Sequence, residues 1–112
     1  KNITLMTTKK GLERKNEVLY SALKKASQRG VKIQIAVPQQ ANKEDINKFS
    51  QIAEIKHTKN AARFCIVDDQ ELLMMMTDDQ KVHHDYDCGV WIEANYFVNY
   101  FSKLFNSEWN NF

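Results

Sequence analysis

The chain has 112 residues, 43% hydrophobic and 27% charged, with three Gly and one Pro. This composition fits one soluble globular domain with a single core and excludes collagen-like, disordered and solenoid architectures. The formal net charge of +2 hides an asymmetry, because residues 1–59 hold thirteen Lys and Arg against five Asp and Glu, whereas residues 60–112 hold three against nine.

In chain order, Ile3 to Thr8 is a short β-prone stretch that Gly11 is expected to end. From Leu12 the apolar residues recur at three- and four-residue spacing, through Val18 and Leu19, Ala22 and Leu23, to Ala26, which is the period of an amphipathic helix. Gly30, following Lys24, Lys25 and Arg29, is placed to cap its C-terminus. Val31, Ile33, Ile35 and Val37 then alternate with Lys32, Gln34 and Ala36 until Pro38 stops the strand. Strand, helix and strand in succession form a βαβ unit with parallel strands.

Asn42 is a suitable N-cap for a second helix, with Glu44 and Asp45 in its first turn and Ile46, Phe49, Ile52 and Ala53 as its apolar face. Ile55 to Thr58 reads as a short strand. Arg63 to Val67 and Leu72 to Met76 are apolar runs joined by Asp68-Asp69-Gln70-Glu71, a link of hairpin length, and their near-continuous hydrophobicity predicts strands covered on both faces. Asp87 to Ile92 follows as another strand. A final helix starts near Asn95 with the stripe Phe97, Tyr100/Phe101, Leu104/Phe105 and Trp109. The expected architecture is α/β, with a mixed central sheet and helices on both faces.

Cys65 and Cys88 have no Cys-x-x-Cys spacing and read as two reduced thiols. Val82-His83-His84-Asp85-Tyr86-Asp87-Cys88 concentrates groups that ligate metals, so His83, His84, Asp85 and Cys88 are the candidates for such a site. Adjacent His side chains point apart in an extended chain, however, and no second cluster completes a tetrahedral set, so no metal site is assigned and no cofactor is implied. Met74, Met75 and Met76 read as core filling inside a strand.

The run Ala61-Ala62-Arg63-Phe64-Cys65-Ile66-Val67-Asp68, in a chain with this element order, resembles the motif strand of the phospholipase D-like superfamily. That pattern is His-x-Lys-x4-Asp followed by Gly-Ser, in an α/β sandwich. Arg29-Gly30-Val31-Lys32-Ile33 and the closing Phe105 to Trp109 also resemble the family, so the likeness covers essentially the whole chain. Position by position the motif is degenerate: Ala61 stands at the nucleophilic His, Arg63 at the Lys, Asp68 at the Asp and Met75-Met76 at the Gly-Ser. The mechanism the resemblance implies needs an imidazole to attack phosphorus, and alanine has no lone pair to offer. His57-Thr58-Lys59 restores His-x-Lys, but the residue seven beyond His57 is Phe64, so the register is wrong.

A single degenerate copy of this sandwich is similar to the module found in archaeal transcription regulators of the TrmB type. The resemblance implies a non-catalytic domain that senses a small-molecule effector and forms a homodimer, with DNA bound through an N-terminal winged helix outside these residues. The start at Lys1 rather than Met fits a domain excised from a longer chain. Arg63 and Asp68 are then the ligand or dimer-interface candidates, either as the remnant of a phosphate pocket or as an ion pair. The alternative is a diverged phosphodiesterase or nuclease acting as a dimer. A third reading places the basic residues Lys9, Lys10, Arg14, Lys15, Lys24, Lys25, Arg29 and Lys32 directly on nucleic acid, although no aromatic residues are interleaved among them for base stacking. No apolar run reaches the roughly eighteen residues of a membrane span and there is no signal-peptide layout, so no membrane partner and a cytoplasmic location are expected.

Overall fold

The computed structural model describes residues 1–14, 16–59, 62–76 and 88–111. Its elements run β1 (Asn2–Met6), α1 (Lys9–Arg14), α2 (Asn16–Gln28), β2 (Lys32–Val37), α3 (Lys43–Phe49), β3 (Glu54–His57), β4 (Phe64–Val67), β5 (Glu71–Met75), β6 (Gly89–Ile92) and α4 (Asn95–Trp109). The strands form one sheet in the order β3-β2-β1-β4-β5-β6. Where a helix intervenes, the chain returns to the same end of the sheet, so β1, β2 and β3 are parallel. The remaining pairs, from β1·β4 outward, are antiparallel. The sheet is therefore mixed, as the element order predicts.

Local chemistry sets the element ends. The Thr8 hydroxyl accepts from the Gly11 backbone N–H at 3.0 Å, so α1 begins at Lys9 and Gly11 lies inside it, buried. The expectation that Gly11 would terminate the first strand is thus corrected: the N-capping threonine, not the glycine, is the boundary. Gly30 closes α2 with φ +84°. The Val31 N–H reaches the Ala26 carbonyl at 3.1 Å and the Gly30 N–H reaches that of Ser27 at 3.0 Å, the paired bonds of a Schellman cap. Asn42 caps α3 as expected, its side-chain oxygen accepting from the Glu44 N–H at 2.9 Å.

Period-two alternation sorts the strand residues onto two faces. On one face, Met6, Ala36, Phe64, Ile66 and Leu72 pack beneath α4, which contributes Val98, Phe105 and Trp109, with Met74, Ile92 and Phe101 at the margin. Phe64 meets Phe101 and Phe105 edge-on, with ring centroids 5.0 and 5.5 Å apart, the favoured geometry for aromatic quadrupoles. At the C-terminal end of α4, the Lys56 ammonium donates to the Trp109 carbonyl at 2.9 Å and lies 4.9 Å from its ring centroid. One cation thus satisfies a helix-end carbonyl and ties α4 to the edge strand β3.

The buried stripe of α4 is Val98, Ser102, Phe105 and Trp109. It lies to one side of the predicted stripe, so Phe97, Tyr100 and Leu104 are exposed, as is Tyr96. In the same way Val18 is 80% exposed, outside the buried face of α2, which carries Leu23 and Ala26.

On the opposite face, α1, α2 and α3 cover the parallel half, burying Leu12, Leu23, Ala26, Ile33, Ile35, Val37 and Phe49 together. Asn16 bridges α2 to α3 by donating to Asp45 and accepting from the Lys48 ammonium at 2.6 Å. Beyond β1 this face has no helix among the described residues. Cross-strand register places Ile55, Ile35, Leu5, Cys65, Leu73 and Trp91 in one row across all six strands. Exposure climbs along that row from a fully buried Ile35 to 43% at Leu73 and 65% at Trp91. The prediction that β4 and β5 are covered on both faces is therefore corrected: Phe64, Ile66 and Leu72 are buried under α4, but the alternate residues Cys65, Val67, Leu73 and Met75 look onto a face that the helices leave open. The three methionines divide accordingly. Met74 packs at the core margin, Met75 lies on the open face, and Met76 is exposed past the strand end.

The β4–β5 turn is unusual in having two successive non-glycine residues in the left-handed region, Asp68 at φ 54° and Asp69 at φ 56°. Aspartate tolerates this conformation better than most side chains. Asp68 also clamps the start of β1, donating its N–H to the Asn2 carbonyl at 2.8 Å and accepting the Asn2 N–H on Oδ1 at 2.9 Å.

Two stability predictions follow from these ends. Asp68→Ala removes an acceptor and puts a poorly suited residue at positive φ, which should cost about 2 kcal/mol and lower the urea midpoint. Asp68→Asn keeps both features and should stay within about 0.5 kcal/mol of the parent. At α4 the N-cap is Ala94, which has no side-chain acceptor. Ala94→Ser should add about 1 kcal/mol, seen as a rise in Tm of about 4 °C in a thermal melt.

Candidate functional site

A cavity of about 210 Å³ lies where helix cover ends on the open face. Its floor comes from β1 and β4 through Leu5, Met6, Phe64 and Cys65, and its side from β5 through Leu73 and Met75. Gly11 and Arg14 of α1 with Leu19 of α2 form the opposite wall, and Thr7 and Arg63 complete it. Arg63 is 7% exposed, just ahead of β4, and its carbonyl accepts the Met75 N–H at 2.9 Å, which fixes its backbone against β5. Among the described residues the lining comprises two arginines, one threonine, one glycine and otherwise apolar or sulfur-bearing residues. Burial raises the Cys65 thiol above its ordinary pKa, because a thiolate loses hydration in this apolar wall.

Gly89 fits here for a steric reason. A Cβ at that position would lie 2.8 Å from the Met75 sulfur and 3.1 Å from the Met74 carbonyl oxygen. A second hollow, about 190 Å³, continues along the open face between Cys65, Val67, Glu71, Leu73 and Trp91. Cys65 and Leu73 belong to both hollows, so cavity and open face are one continuous apolar surface.

The residues singled out from sequence are distributed unevenly around this site. Arg63 is in the cavity wall. Asp68 sits in the turn at the other end of β4, roughly 16 Å away at the rise of an extended strand, and is held by Asn2. The two do not form one site within the chain. Met75 lines the cavity. His57 is exposed at the end of β3, and Cys88 is exposed beside β6. Ala61, His83, His84 and Asp85 lie outside the described residues.

Of the basic set, Lys9, Lys10, Lys24, Lys25, Arg29 and Lys32 are exposed on α1, on α2 and the turn after it, and at the start of β2, and Lys15 lies outside the described residues. Arg14 is also exposed yet reaches the cavity. Sequence reasoning missed the cavity residues Thr7, Arg14, Leu19, Cys65 and Leu73 as a group. The signal for part of it was present, since Cys65 and Leu73 share strand parity with Arg63 and Met75.

Comparison with solved structures places the fold. TrmBL2, an archaeal chromatin protein whose structure shows a novel mode of DNA binding, superposes with a TM-score of 0.75 at 22% identity, over 98% of this chain and 43% of that one. NucT from Helicobacter pylori superposes with a TM-score of 0.67 at 12% identity, covering 95% of this chain and 77% of its own. Polyphosphate kinase from Porphyromonas gingivalis gives 0.68 at 17% identity, with 93% of this chain and 20% of that one covered. The architecture is thus the phospholipase D-like α/β sandwich, and the chain spans less than half the length of TrmBL2.

No curated protein sequence matches the chain. No helix among the described residues is long and apolar enough to cross a membrane. The family model described as "Transcriptional regulator TrmB, EBD N-terminal subdomain" matches residues 1–111, and the chain belongs to that family.

Proposed function

We propose that this chain is the non-catalytic effector-sensing and dimerisation unit of a TrmB-type transcriptional regulator, a cytoplasmic protein that binds DNA through a domain outside these residues. The observation that carries the reading is the half-covered sheet. A row of apolar side chains that runs under the helices continues through Cys65 and Leu73 to an exposed Trp91. Monomeric proteins rarely leave such a surface uncovered, and a tryptophan on it is the residue type that most often dominates an interface. A second copy of the chain, related by a two-fold axis, is the occupant we assign. The family itself supports the regulatory role.

A non-catalytic role has chemical support in the sequence. Ala61 occupies the position matching the family's nucleophile, and an alanine cannot form the covalent phosphoryl intermediate. Arg63 retains the positive charge of the motif lysine, which suits anion binding without turnover. Asp68, the other matching residue, is engaged by the Asn2 backbone as a turn-and-strand clamp. The degenerate motif is in this reading a surviving scaffold and anion contact.

Multi-angle light scattering of the chain at micromolar concentration should give twice the mass of 13.1 kDa. Leu73→Asp should return it to a monomer with unchanged far-ultraviolet circular dichroism, because a carboxylate facing its copy across an apolar interface costs several kcal/mol to desolvate. A parent chain that stays monomeric across this range would defeat the dimer assignment. Steady turnover of a generic phosphodiester by the purified chain would defeat the non-catalytic one.

A further inference from the structure

We infer that the C-terminal end of α2 and the start of β2 form a surface that contacts the phosphate backbone of duplex DNA, through Lys24, Lys25, Arg29 and Lys32. The inference rests on the reading of this chain as part of a DNA-binding regulator, and adds that this unit touches the duplex itself.

The sequence puts one sign of charge on this stretch. Between Glu17 and Glu44 stand Lys24, Lys25, Arg29, Lys32 and Lys43, with no Asp or Glu among them. A helix face that is merely solvated mixes signs, with Glu and Lys three or four residues apart. Past Glu17 the outer face of α2 carries cations alone.

The fold gathers them at one corner. Leu23 and Ala26 are the buried residues of α2, so at about 3.6 residues per turn Lys24 and Lys25 flank the line opposite the core. Both are exposed, as are Arg29 and Lys32. The turn after the helix is tight, because the Arg29 and Val31 N–H groups both reach the Ala26 carbonyl, at 3.0 and 3.1 Å. That turn brings Lys32 back beside the last turn of α2. The carboxylates at this end of the sheet belong to other strands: Glu54 stands on β3 opposite Gln34, and Asp68, across β1, accepts the Asn2 N–H. Asp69 and Glu71 follow toward β5. They border the cationic corner without interrupting it. Lys10 and Arg14 of α1, which engage neighbours in the fold, are not part of the set.

The residues between the cations decide which polyanion fits. Ser21, Ala22 and Gln28 are the exposed neighbours on α2, and its aromatic residue, Tyr20, is turned edge-on to Phe49. Single strands gain from aromatic platforms on which bases stack, and this corner has none among the described residues. A duplex offers one charge per ~1.7 Å of its axis without unstacking, and contacts to those phosphates position a protein without reading sequence. Lys25 also complements the negative end of the α2 dipole, so stability and DNA binding are read separately in the test.

Fluorescence anisotropy with a labelled duplex of about 20 base pairs and arbitrary sequence should show binding by the 112-residue chain at low salt. The slope of log affinity against log salt should be about −3.5 for one copy neutralising four phosphates, roughly a hundredfold loss between ~50 and ~200 mM KCl. The double variant Lys24→Gln, Lys25→Gln should make that slope shallower by about 2 with an unchanged far-ultraviolet circular dichroism spectrum. Arg29→Gln, past the helix end and so independent of its folding, should make it shallower by about 1. Lys43→Gln, beyond the far end of β2, should leave it unchanged.

No anisotropy change at low salt, or a slope that Lys24, Lys25 and Arg29 substitutions leave as it was, would overturn the inference. Substitutions that lower the Tm but spare the slope would assign these cations to the end of α2 alone and overturn it as well. Equal competition by polyglutamate would replace DNA with an acidic protein, and tighter binding of the single strand would remove the duplex. These failures separate from failure of the parent reading: a chain that dimerises but ignores the duplex removes only this surface, and DNA binding through a domain outside these residues stands. A monomeric chain that binds the duplex through these cations removes the dimer and keeps the surface.

Discussion

Leu5 sits at the middle of an apolar row of six side chains, one from each strand, and the coverage of that row organises the molecule. Short crossovers between parallel strands leave helices on the face they pass, so α1 to α3 cover the parallel half without further instruction. On the antiparallel half no helix covers this face among the described residues. The opposite face escapes this limit because α4, at fifteen residues, is long enough to reach from the β5 side to Lys56 on β3. Among the described residues one face is therefore covered by a helix along its length and the other only over its parallel half. The cavity, the exposed Trp91 and the continuity between them are consequences of that boundary.

Much of this was legible in the sequence because it depends on local chemistry. Asn42, Gly30 and the alternation from Val31 to Val37 each act through bonds within a few residues, and each does in the structure what its chemistry predicts. The mistakes arose where local patterns meet distant partners. Phe64 to Val67 is apolar at every position, which reads as burial on both faces. In the structure half of those side chains face α4 and half face a surface that no helix among the described residues covers. Continuous hydrophobicity reports that both faces avoid water; it does not report whether the cover belongs to the same chain. Gly11 shows the converse. Glycine reads as a terminator, but the threonine three residues earlier captures its N–H and starts the helix there.

Arg63 and Asp68 are held at the two ends of β4 by different bonds. Arg63 immediately precedes β4 and Asp68 immediately follows it, where an aspartate suits the turn. Asp68 adopts the left-handed turn and holds both backbone groups of Asn2, so its replacement would loosen β1 whether or not any ligand binds. Arg63 is kept in place by a different device, its carbonyl bonded to Met75 on the neighbouring strand. Each residue is fixed by bonds at its own end of β4.

Shared walls carry a thermodynamic consequence. Cys65 and Leu73 line both the cavity and the open face. A molecule in the first and a protein surface on the second would touch the same two side chains, so neither can bind without altering what the other meets. Binding free energies linked in this way are reciprocal: whatever factor an occupant imposes on association, association imposes on the occupant's affinity. Beyond the shared walls, a regulator built on this sheet needs no remote pathway to connect sensing with assembly. The connection would be contact, through two residues on adjacent strands in register, Cys65 opposite Leu73. In the proposed dimer its strength would be set by how far an occupant displaces Leu73 from the plane against which a second copy would pack.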